Sequence, residues 1–245
     1  MFNKIFVIGG IIILVLFAFL IRQEFVFNAA IDASKKYITA LAEGNAQKAL
    51  EYSSGEAAVA ATRLMDGKVA ASVDIFLCEI VSYGNDWGKA AAGVRLTLSD
   101  GTEDIGWYSM DVIKNRQGWK VISLKETVPV LSGQGLFISQ NDVSQGQKII
   151  TGYLEALTLN DLEGAKNFLA GQAKRQHEIS TSVLGKAPLI KTYGNVQLRG
   201  VWEKDGLLVC RAEYHVDDRE VISIVTLAEV KTGQWRIINI QQVGT

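Results

Sequence analysis

Cysteine, proline and histidine are scarce in this chain of 245 residues, which contains two of each. Two cysteines cannot hold together a small disulfide-rich domain. The cysteines and histidines also lack the clustered spacing of a zinc site. The sequence therefore predicts no metal site.

An excess of one charge is also missing, because 25 Lys and Arg residues balance 26 Asp and Glu residues and leave a net charge of −1. A general nucleic-acid binder would be strongly basic. The Gly133-Gln134-Gly135 segment begins like a phosphate-binding loop, but Ile138 stands where a third glycine would be needed. We therefore expect no nucleic-acid partner and no bound cofactor.

The one long apolar segment lies at the N-terminus. Ile5–Ile21 is seventeen residues without a charge, and as a helix it would span roughly 25 Å, close to the thickness of a bilayer's hydrocarbon core. It shows no polar stripe of the kind that a surface helix carries. Residues 1–28 are therefore predicted to form an uncleaved transmembrane signal anchor in contact with membrane lipid.

Two properties of this anchor stay open. A cleaved signal peptide is the alternative, with Lys4 as its basic region and Asn28-Ala29-Ala30 as the nearest cleavage site. Orientation is the other, because Lys4 on one flank and Arg22 on the other give the positive-inside rule no clear answer. The short tail before the apolar segment resembles a secretory start, so we expect a single-pass cell-membrane protein with its bulk outside the cytoplasm.

The chain matches itself when it is shifted by 116 residues. Residues 37–41 (YITAL) then align with 153–157 (YLEAL), and residues 118–122 (GWKVI) align with 234–238 (QWRII). One offset that holds at both ends of a segment indicates a duplication. We predict a first domain over residues 29–127, a linker over 128–144 and a second domain over 145–245.

Hydrophobic periodicity and turn residues give each domain the same order of elements, helices first and strands after them. The helices are predicted over 30–43, 46–53 and 55–65 in the first domain and over 147–159, 161–170 and 171–184 in the second. The strands are predicted over 72–84, 89–99, 103–115 and 118–125 in the first domain and over 191–203, 207–216, 220–231 and 234–242 in the second. Each domain should therefore be α+β, with helices packed on a four-stranded antiparallel sheet.

Each domain also closes on the motif Trp-(Lys/Arg)-(Val/Ile)-Ile, at Trp119 and at Trp235, and opens on a helix with a tyrosine, Tyr37 or Tyr153. With the helix-first order, these motifs resemble the nuclear-transport-factor-2-like fold, which includes SnoaL-like and cystatin-like domains. The resemblance covers both repeats and implies a curved sheet wrapped on a long helix. That superfamily contains isomerases, dehydratases, transport adaptors and secretion-system parts, so the fold does not specify a function.

Five aromatic residues are candidates for a pocket or a partner surface. Tyr37 and Tyr153 occupy one repeated helix position, Trp87 and Trp202 lie near the first hairpin of their domains, and Trp107 lies in a third strand. Packing in the core is the better explanation of the repeated tyrosines. Ser223 stands opposite Trp107 at the 116-residue offset, which indicates that the two copies have diverged.

No catalytic residue is predicted. His177 lies in a polar stretch and is expected on a solvated helix face, and His215 is expected on the exposed face of a strand. An enzyme of this fold would need a buried carboxylate such as Asp74, Asp104 or Asp111, and no partner acid or base accompanies them in the sequence.

The two cysteines, Cys78 and Cys210, fall at non-equivalent positions of the repeat. We expect two buried thiols. A disulfide between the domains stays an alternative, because an extracytoplasmic location would permit one.

The leading functional hypothesis is a non-enzymatic, membrane-anchored, extracytoplasmic platform for protein interaction or assembly, with a protein partner or self-association. A single anchor with tandem domains also resembles the conjugal-transfer TcpC family of Gram-positive mobile elements, whose members are scaffolds of a secretion-like channel. One alternative is a small-ligand binder or sensor that uses an apolar pocket. An isomerase-like enzyme is the third hypothesis.

Overall fold

The computed structural model describes residues 27–63, 69–129, 139–184, 190–204 and 206–244. Over these ranges the chain is α+β, with two four-stranded antiparallel sheets and helices before each sheet. The predicted anchor segment Ile5–Ile21 lies outside the described residues, and so do positions 130–138 of the predicted linker. Among the described residues, no helix has the length and apolar character needed to cross a bilayer.

The described part of the first half contains three helices and then four strands. The first helix, α1, covers residues 27–42 of the described chain. The others are α2 (Ala46–Glu51), α3 (Gly55–Arg63), β1 (Ala70–Tyr83), β2 (Trp87–Leu98), β3 (Glu103–Asn115) and β4 (Gly118–Glu126). The strands lie in the order β1-β2-β3-β4, so each pairs with its neighbour in sequence.

The second half repeats this order. Its helices are α4 (Gln140–Thr158), α5 (Leu162–Lys166) and α6 (Gly171–Leu184), and its strands are β5 (Tyr193–Lys204), β6 (Leu207–Val216), β7 (Arg219–Lys231) and β8 (Gln234–Gly244). The sheet order is β5-β6-β7-β8, and every pairing in it is antiparallel.

The chain divides into two compact units, which are described separately below. Unit 1 comprises the described residues within Met1–Lys68, Cys78–Ala91 and Ser109–Lys125. Unit 2 comprises those within Val69–Leu77, Ala92–Tyr108 and Glu126–Thr245. Strands β1, β2 and β3 therefore each contribute residues to both units.

Helix starts confirm the predicted duplication. Asn45 caps α2 by accepting a hydrogen bond from Lys48 N at 3.0 Å, and Asp161, 116 residues later, caps α5 by accepting one from Gly164 N at 2.9 Å. A side-chain oxygen at this position satisfies an amide that the helix leaves unpaired. Each cap follows a residue with positive φ, Gly44 (68°) in one half and Asn160 (56°) in the other.

The link between the helices and the last strand is repeated as well. Ser53 forms an isolated parallel bridge with Val121, and Leu169 forms the same bridge with Ile237, so both partners are shifted by 116 residues. These bridges end the preceding short helices, because the chain must extend to pair with a strand. For that reason α2 and α5 are shorter than predicted, and α5 ends at Lys166 instead of residue 170.

One helix begins earlier than predicted. α4 starts at Gln140 instead of residue 147, because the hydroxyl of Ser139 accepts a hydrogen bond from Asp142 N and caps the helix there. Val143 and Gly146 in this added part are buried, and a Cβ at Gly146 would lie 3.2 Å from Leu198. The other elements agree with the predicted bounds to within three residues.

The inner face of the second sheet is a hydrophobic core under α4. On β6 this face presents Leu208, Cys210, Ala212 and Tyr214, which alternate along the strand. They pack with residues of α4, β7 and β8, among them Ile150, Leu154, Val225, Leu227 and Ile237. Burying a large apolar side chain contributes about 1.5–3 kcal/mol, so this core contributes several such increments to the stability of the second half.

The other face of the same sheet is also covered within unit 2. Leu207, Val230 and Ile238 lie in one buried cluster with Ile105 and Trp107 of β3. Ala170 and Ala228 belong to the cluster too, and Phe76, Leu77 and Trp202 pack against it from its edge. We call this set the outer cluster. It joins residues of the first sheet to the second half of the chain.

Two equivalent glycines allow a matched test of backbone strain. Gly55 and Gly171 begin α3 and α6 with φ of 57° and 53°, where an alanine costs about 1–2 kcal/mol. A Cβ at Gly171 would lie 2.5 Å from the Ile105 carbonyl oxygen, whereas at Gly55 it would lie 3.5 Å from the Ile122 carbonyl oxygen. We expect Gly171→Ala to lower the free energy of unfolding clearly more than Gly55→Ala.

Thermal unfolding of the purified full chain, followed by circular dichroism, measures this difference. Equal melting temperatures for the two variants, or a lower one for Gly55→Ala, would contradict the close approach at Gly171.

Candidate functional site

A cavity of about 500 Å³ lies in unit 1, between the start of α1 and the β3–β4 hairpin. Its volume falls within the range of about 300–1,000 Å³ that small-molecule pockets occupy. The described residues that line it are Ala29, Asp32, Ala33, Glu51, Tyr52, Lys114, Gln117, Gly118, Trp119 and Lys120. Two alanines of α1 and the Trp119 ring make much of its wall apolar.

One ion pair and one hydrogen bond to the backbone hold charged side chains beside this cavity. Lys36 Nζ lies 2.7 Å from the Asp32 carboxylate and 5.5 Å from the centre of the Tyr52 ring. The hydrogen bond to Asp32 raises the pKa of Lys36 above its ordinary value. Lys120 donates to the Glu51 carbonyl. The arrangement suits binding of an apolar body with a polar end.

In the second half, different side chains occupy the positions equivalent to Tyr52 and Lys36. Phe168 stands where Tyr52 stands in the first half, and it packs on Gly152, the counterpart of Lys36. A Cβ at Gly152 would lie 2.6 Å from the Phe168 ring. The two halves therefore share a fold but differ in the chemistry of this position.

The repeated tyrosines, Tyr37 in α1 and Tyr153 in α4, both lie in the interior of their own half of the chain. Tyr37 is fully buried, and its hydroxyl donates to the Ala57 carbonyl at 2.8 Å. Tyr153 is half-buried, with its ring 6.2 Å from the His177 ring. Burial raises the pKa of each hydroxyl to about 12. Neither tyrosine lines the described wall of the unit 1 cavity.

The three candidate tryptophans have different surroundings. Trp107 is buried in the outer cluster, and the half-buried Trp202 packs against that cluster. Trp87 is 52% exposed at the start of β2. The structure therefore brings Trp107 and Trp202 together in one packed region and leaves Trp87 at the surface.

The carboxylates that an enzyme would need have other partners. Asp74 is 65% exposed and pairs with Arg95 at 3.0 Å. Asp111 accepts a hydrogen bond from Ser123 at 2.6 Å. Asp104 is the least exposed, at 23%, and it accepts a hydrogen bond at 2.9 Å from Gly171 N, the first amide of α6. That contact makes Asp104 a helix cap across 67 residues.

The expectation for His177 was wrong. Its side chain is 6% exposed, and Nε2 donates to the Leu162 carbonyl at 3.1 Å. The polar residues beside it in sequence suggested a solvated face, but α5 and the Tyr153 ring cover this side of α6. His215 is exposed, as predicted. Among the described residues, no group of three or more Cys, His, Asp or Glu side chains could hold a metal ion.

Both cysteines are free thiols, so the structure contains no bond between Cys78 and Cys210. Cys210 is buried in the inner core of the second sheet, as expected, whereas Cys78 is half-buried. Burial raises the pKa of Cys210 to about 12 and that of Cys78 to about 11.

Sequence reasoning missed the cavity residues and an aromatic contact beside them. The rings of Phe27 and Tyr83 meet edge to face at 4.4 Å, and Tyr83 is 51% exposed. Tyr52 was visible in the repeat as the counterpart of Phe168, but no local pattern indicated that one ring borders a cavity. The nearest available signal was the Asn85-Asp86 turn between two aromatic residues, Tyr83 and Trp87.

No protein-family model matches the chain, and no curated protein is significantly similar to it. Several solved structures are similar, three of which follow. A candidate aromatic ring hydroxylase from Novosphingobium aromaticivorans shares 15% identity over 40% of this chain and 91% of that one, with a TM-score of 0.33. An Ntf2-like protein involved in plasmid conjugation shares 10% identity over 90% of this chain and 96% of that one, with a TM-score of 0.30.

The third is a cystatin-like protein from Ruminococcus gnavus, with 8% identity over 89% of this chain and 84% of that one and a TM-score of 0.27. Likenesses at these identities carry no information on activity or partner. Three helices followed by a four-stranded antiparallel meander, present in both halves, agree with the nuclear-transport-factor-2-like fold expected from the sequence.

The thiol pKa values predict slow alkylation. Only the thiolate reacts, and at pH 8 a thiol with a pKa of about 12 is ionised to roughly one part in ten thousand. We expect iodoacetamide to label Cys210 in the folded chain at least about a hundredfold more slowly than after denaturation, with a rate that rises as pH rises. Mass spectrometry of the labelled peptides measures both sites. Fast labelling of folded Cys210 would contradict its burial, and isolation of the chain with a Cys78–Cys210 bond would contradict the two free thiols.

Proposed function

We propose that this chain is a non-enzymatic, membrane-anchored platform on which an extracytoplasmic protein assembly is built. The observation that carries the proposal is the outer cluster, where Trp107 and Ile105 pack against Leu207, Val230 and Ile238. It supports a fused pair of related domains, because residues of the first sheet already complete a core of the second half. A pair joined in this way suits a scaffold, because partners can bind it without its having to assemble first.

The apolar segment Ile5–Ile21 supports the anchored part of the proposal, through its length and its lack of charge. The more specific form of the proposal is a role in conjugative DNA transfer, which rests on the resemblance of one anchor and two tandem domains to the TcpC arrangement. In that form the partners would be other proteins of the channel or further copies of the chain.

The platform predicts membrane retention and self-association. We expect the full chain to stay in the membrane fraction after sodium carbonate extraction and to give cross-linked species at multiples of 26.8 kDa in native membranes. A variant without residues 1–26 is the matched control and should be released. Release of the full chain by carbonate, or a monomer that forms no cross-link in its native membrane, would refute the platform.

In a host whose mobile element encodes the chain, its deletion should abolish DNA transfer.

A second candidate function is binding of a small apolar ligand, which the cavity in unit 1 favours. Its size, its alanine and tryptophan wall and its few polar groups match those of small-molecule sites. The charged ends contributed by Asp32, Lys114 and Lys120 would orient a ligand that has one polar end.

Ligand binding predicts a rise in melting temperature, because a ligand that binds the folded state stabilises it. We expect medium-chain fatty acids, as a first probe, to raise the melting temperature of the full chain by a few degrees. Ala29→Phe should remove the rise by filling the mouth of the cavity, and Gln145→Phe, at the equivalent position of the second half, should keep it. Equal shifts in the two variants would rule out this cavity as the site.

A further inference from the structure

One end of unit 1 carries an exposed pair of large aromatic side chains. Tyr83 ends β1 and is 51% exposed, and Trp87 begins β2 and is 52% exposed. The turn between them is closed by a hydrogen bond from Gly84 N to the Trp87 carbonyl at 2.9 Å. The Phe27 ring packs against Tyr83 at 4.4 Å, so this turn lies beside the described start of α1.

Two basic side chains project from the neighbouring hairpin. Lys114 lies near the end of β3 and Arg116 lies in the β3–β4 turn, and both are exposed. Lys114 N donates to the Asp86 carbonyl at 2.8 Å, so the two turns lie side by side. In the part of the chain that the structure describes, neither Lys114 nor Arg116 forms an ion pair. We call Phe27, Tyr83, Trp87, Lys114 and Arg116 the aromatic-basic end.

Chain length fixes how far this end can lie from the apolar segment. Phe27 is six residues after Ile21, the last residue of that segment. Six residues reach at most about 21 Å even when they are fully extended. The headgroup layer on each side of a bilayer is roughly 5–8 Å thick. If Ile5–Ile21 spans a membrane, this six-residue connection holds the aromatic-basic end within about 21 Å of the point where the segment leaves the bilayer core. The aromatic-basic end therefore stays close to the headgroups.

We propose that the aromatic-basic end is a membrane-contact surface that rests on anionic lipid headgroups. Tyr83 and Trp87 place their rings at the level of the headgroups, where amphipathic aromatic side chains are favoured. Lys114 and Arg116 bind lipid phosphates. The inference rests on the anchored part of the proposed function. It gives the exposed Trp87 a role and fixes which end of unit 1 faces the bilayer.

The combination of chemistry and tether favours a lipid surface over a protein partner. A protein interface would need a larger apolar patch than two rings separated by a short turn. Cations beside tryptophan and tyrosine match the headgroup layer of an anionic membrane directly.

Fluorescence quenching tests the aromatic contact. The full chain is reconstituted in phosphatidylcholine–phosphatidylglycerol vesicles that contain a lipid with a nitroxide on its headgroup. We expect part of the tryptophan emission to be quenched, and we expect Trp87→Phe to remove that quenched part. The matched control is Trp202→Phe, which changes a half-buried tryptophan of unit 2 and should keep the quenched part. Quenching that survives in Trp87→Phe would overturn the proposal.

The phosphatidylglycerol dependence tests the basic contact. Quenching of the natural chain should increase with the phosphatidylglycerol fraction and decrease with salt. Lys114→Gln combined with Arg116→Gln should weaken the contact by about tenfold or more and flatten this dependence. Lys125→Gln combined with Lys148→Gln, which removes two exposed lysines elsewhere, should leave it unchanged. Equal behaviour of the two double variants would overturn the assignment of Lys114 and Arg116.

Carbonate extraction of the same preparations separates this inference from the proposed function. A chain that stays in the membrane but shows no quenching at Trp87 keeps its anchor and refutes the contact surface. A chain that carbonate releases, yet whose Trp87 is quenched on added vesicles, keeps the contact surface and refutes the anchor. Cross-linking between copies of Trp87→Cys, together with no quenching of Trp87 in the natural chain, would assign this end to a protein interface instead.

Discussion

Burial of the outer face of the second sheet is the constraint on which the rest of unit 2 depends. Helix α4 covers the inner face, so a layered α+β domain would normally leave the outer face to water. Here Leu207, Val230 and Ile238 are buried on that face against Trp107 and Ile105. The first half of the sequence thereby supplies part of the core of the second. Asp104 adds a polar contact by capping α6.

Divergence of the two copies follows from this arrangement. Val230 is buried in the outer cluster, whereas Lys114, its counterpart in the first half, is exposed at the cavity. Phe168 fills the space over Gly152, whereas Tyr52 borders open space. One copy therefore uses these positions for packing, and the other leaves them at a cavity or at the surface. The cavity and the aromatic-basic end consequently both lie in unit 1.

Much of the fold was predictable because its signals are local. A few neighbouring positions are enough to recognise a helix cap such as Asp161, a turn or an alternating strand. Because the sequence repeats at an offset of 116 residues, each element could be predicted from two copies of its pattern. The candidate site was predictable only in part. Trp87 and Trp107 carried the same aromatic signal in the sequence, yet one is exposed and the other is buried, because contacts from distant segments decide burial.

By itself, the sequence determined the apolar N-terminal segment, the duplication and the order of helices and strands, since composition, repetition and periodicity encode them directly. Only the tertiary structure decided that His177 is buried and that Asp104 caps a helix 67 residues away. It also decided which face of the second sheet meets residues of the first half of the chain. These outcomes depend on which surfaces meet when separate elements pack, and no local pattern specifies a partner far along the chain.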